Sequence, residues 1–256
     1  MTAYDAPFAR LAEAAGVDAI LVGDSLGPNV LGYDSEIRVS VADIVHHTAA
    51  VARAIRRPLL IADMPFMSYA TPAEALRHAA RMIQVGGAAA VKLEGGLAVA
   101  PITAALVEHG IPVMAHVGLT PQSIHTLGGY KVQGHDLAGA QRVVDGARAQ
   151  AEAGAFGIVL EAVPVRLAER LTAVLPIPTI GIGAGPHCDG QIQVLYDLLG
   201  FRAERQPRHA KVFADVASTV EAALGGYVDE VRRATFPTED HGFKLQRGVL
   251  DQLKFD

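Results

Sequence analysis

The chain has 256 residues, half of them hydrophobic, which is enough to fill the core of one large domain. Its formal net charge of -5 excludes a broadly basic surface, so we expect neither a nucleic-acid nor an anionic-membrane partner. Cys188 is the only cysteine, which excludes an internal disulfide and a cysteine-built zinc site. The sequence has no apolar run long enough to span a bilayer and no signal-peptide pattern, so we predict a cytoplasmic protein.

Strand and helix signals alternate along the chain, and short apolar runs predict buried parallel strands. These strands are expected at residues 2–4, 19–23, 59–62, 89–93, 112–115, 156–160 and 178–182, with a last strand within 193–199. Predicted helices cover residues 7–15, 41–55, 72–85, 98–109, 139–153, 164–174 and 214–235. Thr71 is expected to cap the third helix, because Pro72 follows it and Glu74 completes a capping box. Since a GxGxxG fingerprint is absent, the alternation predicts a single (β/α)8 TIM barrel rather than a dinucleotide-binding sheet.

Most predicted strands end at an acid, a base or a reactive polar group. In a barrel of this kind the carboxyl ends of the strands meet at one mouth, where the active site is built. Packing does not require charged groups at these positions, so we expect an enzyme. The side chains predicted to meet at this mouth are Asp24, Ser25, Asp63, Lys92, Glu94, His116 and Glu161.

A family resemblance is carried by seven ordered segments: VGDSLG (22–27), ADMPFMSYAT (62–71), VKLEGG (91–96), HVGLTPQS (116–123), GGYKVQG (128–134), LEAVP (160–164) and GIGAG (181–185). From Thr2 to about Phe243 the chain resembles ketopantoate hydroxymethyltransferase. The resemblance implies a barrel of the phosphoenolpyruvate mutase and isocitrate lyase-like type, with Mg2+ as cofactor and 5,10-methylenetetrahydrofolate as co-substrate. The implied reaction turns 3-methyl-2-oxobutanoate into ketopantoate for pantothenate and coenzyme A biosynthesis. The implied assembly is a homo-oligomer, a decamer in that family.

A magnesium site is predicted at the ends of two neighbouring strands. Asp24 and Asp63 can reach one cation there, and Mg2+ prefers carboxylate, substrate and water oxygens in octahedral geometry. The resemblance implies that both aspartates bind the metal and contact the substrate through it, and that Glu94 completes the site directly or through water. The alternative is that these acids cap helices or pair with arginines. Clustered carboxylates without a cation repel one another, which favours the metal site.

Glu161 is the predicted general base. It follows four apolar residues and comes from a strand opposite Asp24, where it would take the C3 proton of the keto acid through an enolate mechanism. The alternative is an acid near the start of the helix that follows Pro164. His116 has two open interpretations, a substrate contact or a hydrogen-bonded core histidine.

Lys92 and Glu94 lie two residues apart on one strand and therefore share a face. We expect the Lys92 ammonium to bind the carboxylate or developing enolate of the keto acid, although an ion pair filling the barrel interior is the alternative. The resemblance implies that the Ser25 hydroxyl and N–H bind a substrate oxygen. The glycine-rich segment 128–134 is expected to be either a lid near the pterin or a loop shaped by turns.

Two other functions stay open on the sequence. One is a related Mg2+-dependent keto-acid lyase or mutase, although Cys188 does not lie in the cysteine loop typical of that group. The other is a catalytically silent barrel that binds keto acids or a partner, against which the full set of expected side chains argues. Members of the resembled family carry a further segment before TAYD, so we expect one catalytic domain over residues 1–256 that is N-terminally short and less stable for it.

Overall fold

The barrel is closed by the start of the chain. A computed structural model describes residues 1–201 and 207–255. Within these ranges the strands form one parallel sheet in sequence order: β1 (Ala19–Val22), β2 (Leu59–Asp63), β3 (Ala90–Glu94), β4 (Val113–Gly118), β5 (Gly157–Glu161), β6 (Thr179–Ile182) and β7 (Gly190–Gln191). Thr2 forms a parallel bridge with Leu21 of β1, and its N–H donates to the carbonyl of Gln193 just after β7. Residues 1–3 therefore stand between the two edges of the sheet and complete the predicted barrel.

Helices connect the strands, and all seven predicted helices are present to within a few residues. The helices among the described residues are α1 (Ala6–Ala14), α2 (Val41–Ala52), α3 (Pro72–Gln84), α4 (Ala100–Glu108), α5 (Ile124–Leu127), α6 (Leu137–Glu152), α7 (Val165–Val174), α8 (Leu195–Leu198) and α9 (Val216–Arg232). Each of these helices is too short or too polar to cross a membrane.

Side-chain caps start two of the connecting helices, and the sequence predicts one of them, Thr71. Thr71 Oγ1 accepts the N–H of Glu74 at 3.3 Å, which confirms the predicted cap of α3. The Glu74 carboxylate accepts from the Thr71 hydroxyl at 3.0 Å and not from its backbone N–H, so the predicted capping box is not complete. Asp136 begins α6 in the same way, because its Oδ1 accepts the N–H of Gly139 at 2.7 Å. Such caps satisfy N–H groups that have no partner within the helix.

The barrel interior has an apolar layer below a polar layer. The apolar layer is one buried cluster to which Leu21, Ile61, Ala90, Met114, Val159 and Ile182 belong. Side chains two residues apart on a strand share a face, so the next inward positions along the chain form a second layer. Those positions on β2 to β5 hold Asp63, Lys92, His116 and Glu161. The strand geometry thus places four charged or titratable groups above a hydrophobic floor.

One predicted strand is wrong. The last strand was expected within residues 193–199, but β7 ends at Gln191, and Leu195–Leu198 forms the short helix α8. A short apolar run fits a buried strand and a helical turn equally well by periodicity, so the sequence pattern could not separate them. The first predicted strand, residues 2–4, is reduced to the single bridge at Thr2.

The last long helix lies apart from the core. None of the 17 residues of α9 is buried, although Leu224, Tyr227 and Val228 are large apolar side chains. Leu224 is 61% exposed. An apolar groove of about 580 Å³ runs along this helix and includes Phe201.

Candidate active site

All seven predicted site residues line one cavity. The cavity has a volume of about 800 Å³ and opens at the carboxyl ends of the strands. This volume lies within the range of small-molecule sites. The seven side chains are those of Asp24, Ser25, Asp63, Lys92, Glu94, His116 and Glu161. The mouth position that the strand pattern predicts is therefore confirmed.

The turn after β1 brings Asp24 against Asp63. The backbone N–H of Asp24 donates to Asp63 Oδ2 at 3.2 Å, and both residues are buried. Gly23 leaves room for the Ser25 hydroxyl, because a Cβ at that position would lie 2.9 Å from Ser25 Oγ. The Ser25 hydroxyl lies 2.9 Å from the hydroxyl of buried Tyr4. Tyr4 therefore holds Ser25 in place at the rim of the cavity.

Lys92 is the central cation of the buried cluster. Its Nζ lies 2.7 Å from Asp63 Oδ1, 3.9 Å from Glu94 Oε1 and 3.4 Å from His116 Nδ1. The pairing register explains the first contact, since Asp63 of β2 is the direct neighbour of Lys92 on β3. Burial lowers the pKa of Lys92, but the Asp63 and Glu94 carboxylates outweigh it and raise that pKa above its ordinary value.

His116 joins two carboxylates. Its Nδ1 lies 3.5 Å from Glu94 Oε1, and its Nε2 lies 3.2 Å from Glu161 Oε2. Burial and the Lys92 charge lower the pKa of His116, yet the bonds to Glu161 and Glu94 outweigh them and raise it to about 9. The Nδ1 also lies 3.4 Å from the Lys92 ammonium, so Glu94 and Lys92 face the same imidazole nitrogen. The structure thus gives His116 a bridging position between Glu94 and Glu161.

Asp24 lies in an excess of negative charge. Among the seven predicted site residues, four carboxyl groups accompany one ammonium, that of Lys92, and one imidazole, that of His116. In the described part of the chain no Lys, Arg or His forms an ion pair with Asp24. Burial, together with the Asp63 and Glu94 charges, raises the pKa of Asp24 well above its ordinary value. A bound cation would remove this repulsion.

The donor set fits a magnesium ion that shares its shell with substrate and water. Mg2+ uses one or two protein carboxylates and keeps several other oxygen ligands. Asp24 and Asp63 meet that description, since both are buried carboxylates at the floor of the cavity. Over residues 1–201 and 207–255 no three His, Cys, Asp or Glu side chains are grouped so that they could hold a metal alone. Glu94 is instead engaged by the N–H of Gln122 at 3.1 Å.

Sequence reasoning missed Gln122. Its side-chain amide donates to Asp24 Oδ2 at 2.8 Å and to the carbonyl of Met64 at 2.9 Å. The hydroxyl of Tyr69 in turn donates to Gln122 Oε1 at 2.6 Å. Both residues stand in segments that carry the resemblance, HVGLTPQS and ADMPFMSYAT, but Gln122 lies in the 3-10 turn Pro121–Ser123 and Tyr69 in a turn, not at strand ends. The sequence signal for both residues is that they are polar side chains within segments that carry the family resemblance.

The Glu161 backbone is held by two unusual conformations. Gly118 has a φ of +98° and faces the Glu161 carbonyl so closely that a Cβ there would overlap it. Ala162 has a φ of 47°, which is uncommon for a residue with a side chain. The next residue after Gly118, Leu119, donates its N–H to the Glu161 carbonyl at 2.8 Å. The left-handed backbone of Ala162 is strained, and such strain concentrates at functional sites.

Comparison with known proteins decides the family. The model of ketopantoate hydroxymethyltransferase matches residues 1–239. The chain belongs to this family. It is 52% identical to the 3-methyl-2-oxobutanoate hydroxymethyltransferase of Carboxydothermus hydrogenoformans, over 99% of this chain and 92% of that protein. Identity to the Roseiflexus sp. enzyme of that name is also 52%, over 98% and 90% of the two chains. The predicted family and the prediction of an enzyme are confirmed.

Solved structures confirm the type of barrel. Phosphonopyruvate hydrolase in complex with oxalate and Mg2+ matches 99% of this chain and 85% of its own, with a TM-score of 0.57 and 18% identity. The 2,3-dimethylmalate lyase, a member of the phosphoenolpyruvate mutase and isocitrate lyase superfamily, matches 98% of this chain and 85% of its own, with a TM-score of 0.58 and 20% identity. These likenesses establish the fold, and the relatives of 52% identity carry the activity.

Proposed function

We propose that this chain transfers a hydroxymethyl group from 5,10-methylenetetrahydrofolate to 3-methyl-2-oxobutanoate. Water is consumed, and the products are 2-dehydropantoate and tetrahydrofolate. The observation that carries the proposal is the single cavity in which a carboxylate, Glu161, faces a buried cluster of acids around Lys92. The names of the relatives in the same family support the substrates.

Asp24 and Asp63 are the proposed holders of Mg2+, with Glu94 completing the site directly or through water. When bound there, the ion would act as a Lewis acid that polarises the 2-oxo group and makes the C3–H of the keto acid more acidic. The excess of buried carboxylates around Asp24 supports this assignment. The neighbour solved with oxalate and Mg2+ supports it by analogy, since oxalate is also a small dicarbonyl anion.

The remaining residues bind the keto acid and move its proton. Lys92 supplies a fixed positive charge for the substrate carboxylate and the developing enolate, and Ser25 donates to a substrate oxygen. Glu161 takes the C3 proton, and the resulting carbanion equivalent bonds to the methylene carbon of the folate as one of its two C–N bonds breaks. Water then replaces the second C–N bond by a C–O bond, and the two folate nitrogens take up the C3 proton and a proton of the water, which releases 2-dehydropantoate and tetrahydrofolate. His116 is a positioning residue, because its Nε2 holds Glu161 Oε2 at 3.2 Å while its Nδ1 is anchored on Glu94.

The proposal is tested by following the carbon transfer itself. Purified protein with Mg2+, 3-methyl-2-oxobutanoate and methylenetetrahydrofolate should form 2-dehydropantoate and tetrahydrofolate in equal amounts, as read by proton NMR. A chelator should stop the reaction, and excess Mg2+ should restore it. Absence of product with all components present would overturn the proposed function. Product formation unaffected by chelation would overturn only the role of the metal.

The same proposal extends to organisation and location. We treat residues 1–256 as one catalytic domain, working in the cytoplasm as a homo-oligomer, with the decamer of the resembled family as the expected form. The free thiol of Cys188 suits a reducing compartment. The exposed apolar side of α9, with Leu224 and Val228, supports association with further copies of this chain. Light scattering should give the mass of the assembly, and a monomeric mass would contradict this part.

A further inference from the structure

Beyond the charged side chains of the strands, the same cavity is lined by residues on turns and loops, and we call part of this lining the outer chamber. We define this chamber by six of its lining residues: Pro28, Glu36, Leu119, Pro121, Tyr130 and Val132. These six side chains are apolar or aromatic apart from the carboxylate of Glu36, and the same cavity is also lined by Asp34, Lys131, Arg208 and His209. None of the roles proposed for the keto acid uses them. The outer chamber is therefore available for the second, larger substrate.

Glu36 is a buried carboxylate with few donors. It begins a 3-10 turn, Glu36–Arg38, that is fixed by Ser35, whose hydroxyl accepts the N–H of Ile37 at 3.1 Å. Glu36 is only 8% exposed, and its Oε2 accepts from the hydroxyl of Tyr130 at 2.7 Å. Burial raises the pKa of this carboxyl group above its ordinary value. A carboxylate can accept about four hydrogen bonds, so one hydroxyl leaves capacity for further donors.

No cation of the described chain neutralises Glu36. Over residues 1–201 and 207–255 no Lys or Arg forms an ion pair with it. The nearest basic residue in sequence, Arg38, lies with its guanidinium 3.7 Å from Asp34 Oδ1 and 4.8 Å from the centre of the Tyr33 ring. A buried carboxylate without a cation, facing a cavity, fits a ligand that brings N–H donors.

The one-carbon donor has that chemistry at one end. Its pterin ring is flat and carries an N3–H and a 2-amino group side by side, which match the two oxygens of a carboxylate. The flat ring also suits walls formed by two prolines, a leucine and a tyrosine. The branched keto acid has no N–H donor at all. Of the two substrates, only the folate, through its pterin ring, can donate N–H hydrogen bonds to the Glu36 carboxylate.

We propose that the outer chamber is the pterin subsite and that Glu36 is its specificity-determining residue, accepting from the pterin N3–H and 2-amino group. This inference rests on the proposed function, because it takes a reduced folate as the second substrate. When the pterin ring enters the subsite, the Tyr130 hydroxyl either keeps its hydrogen bond to Glu36 beside the pterin or gives it up to the pterin.

The glycine-rich loop at 128–134 is attached on both sides of this subsite. Tyr130 is bonded to Glu36, and the N–H of Gln133 donates to the carbonyl of Ala162 at 2.9 Å, directly after Glu161. Gly128 and Gly134, at the two ends of the loop, have φ values of 67° and 82°, which glycine adopts without strain. The loop thus crosses the mouth between the pterin subsite and the proposed base.

Calorimetric titration with tetrahydrofolate tests the inference. The full-length protein, saturated with Mg2+ and 3-methyl-2-oxobutanoate, is compared as wild type, Glu36→Gln and the matched control Glu152→Gln. Glu152 is exposed at the C-terminal end of α6, at the opposite end of the barrel from the mouth. We expect Glu36→Gln to weaken tetrahydrofolate binding on the order of 10- to 100-fold, the loss of charge-assisted hydrogen bonds, and the control to bind normally.

A pterin analogue without the 2-amino group makes the test specific to the proposed contact. Wild type should bind it more weakly than tetrahydrofolate, whereas Glu36→Gln should discriminate much less between the two ligands. Equal tetrahydrofolate affinity in wild type and Glu36→Gln, with intact thermal melts, would overturn the inference. So would unchanged discrimination in the variant.

Failure of this inference is distinguishable from failure of the proposed function. Deuterium exchange at C3 of 3-methyl-2-oxobutanoate requires only the inner residues and no folate. Wild type that exchanges deuterium and forms product, with normal tetrahydrofolate binding in Glu36→Gln, contradicts the pterin subsite alone. Wild type that neither exchanges deuterium nor forms product contradicts the proposed function.

Discussion

The inner and outer parts of the cavity are built in different ways. Inner side chains leave the ends of β2 to β5 at alternate positions, and ion pairs connect Asp63, Lys92, Glu94, His116 and Glu161 into one buried network. The outer chamber is made of turns and loops, and within it the Tyr130 hydroxyl donates to Glu36 Oε2. Rigid strands hold reacting groups in place, whereas loops supply recognition and can move. We therefore expect inner substitutions to cost stability or chemistry, and outer ones to cost binding.

The largest effect on stability is expected when the inner network loses its ammonium. Lys92→Met leaves three buried carboxylates near one another without their central cation, so the free energy of unfolding should fall by about 3–5 kcal/mol. The matched control is Arg166→Met, because Arg166 Nη1 and Glu169 Oε2 are also 2.7 Å apart but Arg166 is 87% exposed. We expect no measurable change in that variant.

Urea denaturation in the presence of a chelator measures both variants without help from bound metal. A clear loss of stability for Lys92→Met and none for Arg166→Met would show that burial, and not the distance between the charges, determines how much each ion pair stabilises the fold. Similar small changes in the two variants would contradict the account of a tightly coupled inner network.

Asp24→Asn should slow the chemical step while leaving the fold of the protein nearly unchanged. The amide cannot supply a charged oxygen to Mg2+, so kcat/KM should fall on the order of 10²- to 10³-fold, and Mg2+ affinity should fall with it. Asp145→Asn on the exposed side of α6 is the matched control. Calorimetry with 3-methyl-2-oxobutanoate present reads the metal affinity directly. Unchanged Mg2+ affinity in Asp24→Asn would remove this residue from the metal site.

The positions of the inner residues were predictable from the sequence because strand geometry fixes the direction in which each side chain points. Once the apolar runs are recognised as parallel strands, Asp63, Lys92 and Glu161 must point inward at one end of the barrel. The sequence could not show which ion pairs these groups form, since that depends on the register between strands. It also could not show that His116 bridges two carboxylates rather than lying alone in the core.

The loop residues were harder to predict for a physical reason. Gln122 follows a turn at Gly118, and Glu36 sits on a one-turn helix, so neither position is fixed by a repeating pattern. Each reaches the cavity through contacts between segments distant in sequence, such as the bond from Tyr130 to Glu36. The wrong strand at 193–199 has a related cause, since a short apolar run does not determine its own conformation.

The smallest effect is expected in the outer chamber. Tyr130→Phe removes one hydroxyl from an exposed loop residue, so the free energy of unfolding should change by about 1 kcal/mol or less. The KM for methylenetetrahydrofolate should change several-fold while the KM for 3-methyl-2-oxobutanoate stays constant. Steady-state kinetics with each substrate varied in turn separates the two values. A change confined to the keto acid would contradict the division between inner and outer chambers.

The central claim is that Glu161 is the base that takes the C3 proton of the keto acid, and deuterium exchange tests it most directly. Protein, Mg2+ and 3-methyl-2-oxobutanoate are mixed in D2O without folate, and proton NMR follows the loss of the C3 proton. Glu161→Gln should bind the keto acid yet exchange about 10²- to 10⁴-fold more slowly than wild type, while Glu152→Gln exchanges normally. Exchange at the wild-type rate in Glu161→Gln would contradict the assignment and require another base.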